Sequence, residues 1–217
     1  MVEKTYYEEH LRRIKHVMKI IATFANHLNR IGIVGYSTFD QMFRENFPSQ
    51  RFYNLVPSKL INASTDRKYT FECDLEQNSD KFSLPDVLFD GIIFTEVLEH
   101  MFFNDYEIMR NASLLLKRGG TLFFSVPNVS ALAKLTFLSI GRNPYMTKER
   151  QINGVFGGYG HIREYSLNEA VNLVQSSSFK VIKVIGMNDY SNIFNKVARI
   201  FPKIYAETIM VIGKKLQ

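Results

Sequence analysis

The sequence predicts an α/β fold: a doubly wound, mostly parallel sheet with helices on both faces. Three observations predict it. Residues 91–94 and 121–126 are short apolar runs, which suits strands covered on both faces. Residues 104–116, between them, read as a helix and supply the crossover length that parallel strands need. Strand-like and helical segments also alternate along the rest of the chain, the pattern of doubly wound sheets.

The elements follow in order. Residues 6–28 read as an amphipathic helix with Leu11, Ile14, Met18, Ile21 and Phe24 along one side. Residues 30–35 read as the first strand, and residues 38–47 as a helix closed by Pro48. Residues 52–56 and 69–72 read as the second and third strands. After residues 91–94, Glu96, Glu99 and His100 follow at spacings of three and four, which converge if the chain turns helical there. The 104–116 helix ends before a Gly119-Gly120 turn, and the 121–126 strand stops at Pro127-Asn128. Residues 166–176 read as a helix with Ser166 as N-cap and Glu169 completing a capping box. Residues 180–185 and 207–212 are two closing strands.

Residues 129–160 interrupt this rhythm inside an otherwise single 1–217 domain, to which residues 1–28 add an N-terminal helix. Residues 131–140 are apolar enough for a short helix, residues 141–150 are basic, and residues 154–160 hold four glycines. Such an insertion could pack on the sheet or close over a substrate as a lid. A third alternative is an interfacial contact with membrane lipid.

Composition narrows the partners. A chain of 217 residues with 46% apolar content can bury a sizeable core. The net charge of +6 favours an anionic partner or substrate. Lysines and arginines are scattered except in residues 142–150, so the basic stripe of a nucleic-acid binder is missing. Cys73 is the only cysteine, which excludes an intrachain disulfide and fits a reducing cytoplasm. Residues 1–10 have no signal-like apolar region, and no apolar run reaches spanning length. The amphipathic N-terminal helix could cover its own core or a second subunit.

Three segments carry a resemblance to a known family: FDGIIFTEVLEH at residues 89–100, LLLKRGGTLFFSVPN at 114–128, and GHIREYSLNE at 160–169. The last resembles an H-x-R-x-[YF]-[ST]-x-x-E pattern. Over residues 28–214 the chain resembles the class I methyltransferases that use S-adenosylmethionine. The resemblance implies a Rossmann-like methyltransferase sheet closed by an antiparallel C-terminal strand.

The resemblance also assigns a cofactor site, and here the chain departs from the pattern. The family's first motif is an acid-bearing strand followed by G-x-G-x-G. At residues 31–39, Gly35 fits the first glycine, Ser37 and Phe39 stand at the other two, and Ile33 stands where the acid would be. At the end of the second strand, residues 53–58 contain no acid to grip the ribose hydroxyls. Asp74 matches the acid that meets the adenine amino group. Two missing acids would weaken donor binding by roughly 3–6 kcal/mol, at about 1.5–3 kcal/mol per charge-assisted hydrogen bond. Either Asn54, Ser37 and Thr38 compensate, or the fold survives without the cofactor.

The acceptor side matches better. The E-x-x-E-H arrangement of Glu96, Glu99 and His100 resembles that of ubiquinone-biosynthesis O-methyltransferases. With His161 it also resembles small-RNA 2′-hydroxyl methyltransferases. Both resemblances imply that Glu96, Glu99, His100 and His161 hold a divalent cation near the acceptor oxygen. Alternatively, His161 is a metal-free general base or a structural histidine, Glu96 lines the cofactor pocket, and His100 hydrogen-bonds a neighbouring loop. Arg163 could hold an anionic group or pair with Glu164 or Glu169. The expected activity is methyl transfer to an oxygen of a small molecule, sugar or lipid-linked precursor, with His161 and Glu96 as catalytic candidates. The other expectations are a cofactor-free protein that regulates a partner, such as a true methyltransferase, and an RNA 2′-hydroxyl methyltransferase.

Overall fold

The computed structural model describes residues 2–35, 40–58, 67–145, 160–188 and 192–216. Seven strands form one sheet: β1 (Arg30–Val34), β2 (Arg51–Val56), β3 (Thr70–Glu72), β4 (Phe89–Thr95), β5 (Leu116–Pro127), β6 (Phe179–Met187) and β7 (Thr208–Lys215). Their order is β3-β2-β1-β4-β5-β7-β6. β1 pairs in parallel with β2 and β4, and β4 with β5. β7 runs antiparallel to both β5 and β6. Residues 91–94 and 121–126 are therefore adjacent, parallel and central, as their apolar runs predict.

The helices are α1 (Val2–Ala22), α2 (Asp40–Asn46), α3 (Asp105–Leu114), α4 (Leu132–Ser139), α5 (Leu167–Ser176), α6 (Asn192–Ile200) and α7 (Pro202–Tyr205). The pleat divides the core between two faces. Ile92, Phe94, Leu122, Phe124, Ile209 and Val211 pack with residues of α3 and α5 on one side. Ile93, Phe123, Met210 and Ile212 pack with α1 on the other. Ile14, Val17, Met18 and Ile21 form the buried stripe of α1, and Phe24 meets Phe123 edge-on at 5.5 Å.

Local signals set the starts of α3 and α5. The Asn104 side chain accepts from the Tyr106 and Glu107 amides, so the helix begins one residue later than its sequence pattern implies. Ser166 and Glu169 form the expected capping box. The 6–28 segment is a helix only to Ala22, then a 3₁₀ turn over Ala25–His27. The β6–β7 connection holds α6 and α7, which strand and turn signals alone did not reveal. The amide of Asn111, buried on α3, donates to the carbonyls of Leu75 and Gln77. It thereby fixes the loop after β3 against the helix. The glycine-rich stretch up to Tyr159 lies outside the described residues.

Candidate active site

The strand order reverses between β1 and β4, and in doubly wound sheets ligands bind outside the carboxyl ends of the strands at that point. Gly35 directly follows β1 with φ +88°, and an added Cβ there would meet Val97 at 3.4 Å. Gly35 thus allows a turn that a larger residue would strain. Glu96 directly follows β4 and is a non-glycine residue with φ +54°. That conformation costs about 1–3 kcal/mol and persists only where surroundings over-determine it. Here Ser125 does so: its carbonyl accepts from the Glu96 amide at 3.0 Å and its hydroxyl donates to Glu96 Oε1 at 2.9 Å. The other carboxylate oxygen lies 3.1 Å from Arg13 Nη1, from the N-terminal helix. Both side chains are mostly buried.

A 3₁₀ turn over Leu98–His100 follows, and it separates the next ligands from Glu96. Glu99 is buried, and neither carboxylate oxygen has a hydrogen-bond partner among the described residues. Its carboxyl is held well above the ordinary glutamate range, first by burial and then by the charge of Glu96, against the opposing pull of Arg13. His100 Nε2 lies 3.9 Å from Glu99 Oε1. The Ile162 amide donates to the Glu99 carbonyl at 2.7 Å, which brings His161 alongside. The rings of His100 and His161 then meet edge-on at 5.1 Å. One ligand atom from each of Glu99, His100 and His161 lies within 4.8 Å of the others. The structure therefore gathers three of the four residues and turns the Glu96 carboxylate towards Arg13 and Ser125.

Glu164 orients this cluster. Its carboxylate is 3.1 Å from His161 Nδ1 and pairs with Lys134 of α4. Burial alone would raise the Glu164 carboxyl; hydrogen bonds from His161 and Lys134 outweigh it and hold it below the usual range. The His161 segment is also pinned by reciprocal backbone bonds between Tyr165 and the end of β5, at Pro127 and Val129. α4 leaves this anchor with Leu132, Leu135 and Leu138 exposed.

The cofactor-side candidates are placed as follows. Ile33 is buried in the apolar core against α1, so β1 offers no carboxylate to the crevice. Asn54 is buried near the end of β2. Asp74 is exposed after β3, with Oδ1 accepting from the Glu76 amide at 3.0 Å. Ser37, Thr38 and Phe39 lie outside the described residues. Arg163 pairs with Asp105 and Glu169 and stacks on Tyr165. The Cys73 thiol is pushed up to about 12 by burial and by neighbouring Asp74, which makes it inert at neutral pH. Arg13 is the residue that sequence reasoning missed. It borders the buried stripe of the N-terminal helix, next to Ile14, but nothing in the sequence aims it at Glu96.

No protein-family model matches the chain, and no curated protein matches it at a significant level. Solved structures do. An O-methyltransferase family protein from Burkholderia thailandensis matches with a TM-score of 0.62 at 12% identity, over 99% of this chain. This chain spans only 59% of that protein's length. The N-methyltransferase NodS from Bradyrhizobium japonicum, in complex with S-adenosylhomocysteine, matches with a TM-score of 0.54 at 13% identity, over 95% of this chain and 87% of that one. The 1,6-didemethyltoxoflavin-N1-methyltransferase from Burkholderia thailandensis, bound to its named compound and S-adenosylhomocysteine, matches with a TM-score of 0.57 at 14% identity, over 92% of this chain and 76% of that one. The chain has the class I S-adenosylmethionine-dependent methyltransferase fold.

Proposed function

We propose that this protein is an S-adenosylmethionine-dependent O-methyltransferase for a small molecule, sugar or lipid-linked acceptor with an apolar portion. The observation that carries the proposal is the buried carboxylate of Glu99, without hydrogen-bond partners among the described residues and convergent with two imidazoles after the end of β4. A buried carboxylate in that state needs a proton or a cation. Carboxylate and imidazole donors suit a divalent ion such as zinc or manganese. Such an ion would supply Lewis-acid polarisation of the acceptor oxygen.

The residues of the crevice fit the methyl donor in part. Gly35 gives close backbone approach, Asn54 offers an amide near the ribose position, and Asp74 is available for an adenine amino group. Arg13 and Glu96 bring opposite charges to the place where a zwitterionic amino-acid end belongs. Together they stand in for the acid missing at Ile33. The donor supplies a methyl group already activated on a sulfonium. The remaining task is alignment and removal of one proton from the acceptor hydroxyl. Glu164 holds His161 at Nδ1, so Nε2 is the nitrogen that serves, either as a ligand or as the proton acceptor. The exposed leucines of α4, tied to this cluster through Lys134 and Glu164, suit the apolar part of an acceptor. The buried thiol fits a cytoplasmic setting.

Isothermal titration with S-adenosylhomocysteine, with and without manganese, tests the proposal. Binding of both, with manganese lost in Glu99→Ala, is expected. One observation favours a second reading, a cofactor-free protein that regulates a partner methyltransferase: Ile33 lies in apolar core where a donor-binding acid belongs. No binding of S-adenosylhomocysteine at millimolar concentration would decide for it.

A further inference from the structure

The β6–β7 connection presents an apolar tip that methyl transfer does not use. Ile200, Phe201, Ile204 and Tyr205 are 69%, 59%, 40% and 40% exposed. The tip is held rigidly. Gly186 of β6 lies so close to α6 that an added Cβ would meet the Ala198 carbonyl oxygen at 2.2 Å. Two buried side-chain amides hold α7. Asn128 donates to the carbonyls of Lys203 and Ala206 at 3.1 and 2.8 Å. Asn188 donates to that of Tyr205 at 2.7 Å and accepts from the Glu207 amide. Large apolar side chains held outward in this way mark an interaction surface.

Charge identifies the partner. No acidic residue occurs from Asn192 to Ala206, while Lys196, Arg199 and Lys203 all occur there and are exposed. Arg199 also reaches the basic side of α1: it and Lys19 both add to the effect of burial in holding the His16 imidazole below its usual pKa. Apolar residues interleaved with cations, on an element without acids, match the boundary between acyl chains and anionic headgroups.

We propose that α6 and α7 dock this protein on an anionic lipid bilayer, with the four apolar residues entering the interface and the three cations on headgroup phosphates. Pro127 pairs with Thr208 across β5 and β7, so α7 sits at the same end of β5 as Ser125 and Glu96. Docking therefore brings the rim that carries the candidate active site to the membrane surface. The surface does not depend on methyl transfer, so the two proposals fail separately.

Flotation of the full chain with phosphatidylcholine vesicles, with and without phosphatidylglycerol, tests this. The wild type should float with the anionic vesicles only, and high salt should release it. Lys196→Glu with Arg199→Glu should lower partition at least fivefold for each charge removed, taking about 1 kcal/mol per basic residue. Ile200→Ser with Phe201→Ser should lower it at least tenfold with an unchanged unfolding midpoint, and Ile182→Ser, exposed on β6, should leave it unaltered. Equal flotation with neutral vesicles, or no loss in the apolar double variant, overturns the proposal. So does light scattering that shows a wild-type dimer split by Ile200→Ser with Phe201→Ser, since a second copy would then cover the tip.

Discussion

Arg13 Nη1 lies 3.1 Å from Glu96 Oε2, joining the N-terminal helix to the end of the central strand β4. The pair matters because Glu96 is also the residue with φ +54°. A strained backbone and a mostly buried ion pair coincide at one residue, at the carboxyl end of a central strand. Arg13 and Glu96 satisfy one another here, so a zwitterionic ligand bound between them would exchange this ion pair for two new ones.

Arg13→Ala should therefore weaken S-adenosylhomocysteine binding by about 10- to 100-fold, the loss of one charge-assisted contact. Arg13→Lys should recover part of it. Titration calorimetry on both variants checks this. An affinity equal to wild type in Arg13→Ala would mean that Arg13 only braces the helix.

Glu99 makes a pH prediction. Its folded pKa is raised, so the folded state holds the proton more tightly than the unfolded state. Stability is then highest at low pH for this group and falls as pH rises through the raised value. Glu99→Gln keeps the shape and removes the charge. The metal-free variant should unfold about 2–8 °C higher at neutral pH, and its midpoint should vary less with pH. Differential scanning calorimetry across pH measures both. Adding manganese should raise the wild-type midpoint and leave that of Glu99→Gln nearly unchanged.

Glu164 contacts His161 Nδ1 and Lys134 directly. Glu164→Gln should cost about 10- to 100-fold in manganese affinity by loosening the imidazole. Donor affinity should not change. Equal losses for both would indicate a general collapse of the segment.

Asp74→Ala should abolish most of the remaining donor affinity, because β1 and β2 supply no carboxylate to compensate. The loop itself should survive, since Asn111 holds the Leu75 and Gln77 carbonyls independently. A competition assay with S-adenosylhomocysteine, paired with a thermal melt, separates the two effects.

Asp90 makes the opposite pH prediction. Burial would raise its carboxyl, but Lys117 at 2.5 Å and the Arg30 and Asn29 amides outweigh burial and lower it. Its contribution is present above the unfolded pKa and is lost as pH falls through the lower folded value. Asp90→Ala should cost about 1–3 kcal/mol at neutral pH and nothing at the acid end. Urea titrations at two pH values would register the difference.

Particular residues show how far the sequence reached. Residues 91–94 and 121–126 announced two central strands because burial on both faces leaves an uninterrupted apolar run. Ser166 and Glu169 announced a helix start because capping is a contact between near neighbours in sequence. Glu99 and His100 were visible as ligand-capable residues, and so was His161. The helices α6 and α7 were not assigned from the sequence: Ala198 is buried, but Ile200, Ile204 and Tyr205 are exposed, so the apolar positions do not all mark one core-facing side.

By itself, then, the sequence determined the order of the strands and of the helices up to β6, the apolar centre of the sheet and the chemistry available at the end of β4. Those follow from local periodicity and residue type. Only the tertiary structure decided that Glu96 turns to Arg13 while Glu99, His100 and His161 gather, and that α7 points its apolar side outward. Each outcome depends on contacts between residues far apart in the chain: Arg13 with Glu96, Ile162 with the Glu99 carbonyl, and Asn128 with Lys203 and Ala206. The physical reason is that a hydrogen bond across such a separation is made possible by the packed sheet that holds both partners. It leaves no periodic trace in either local segment.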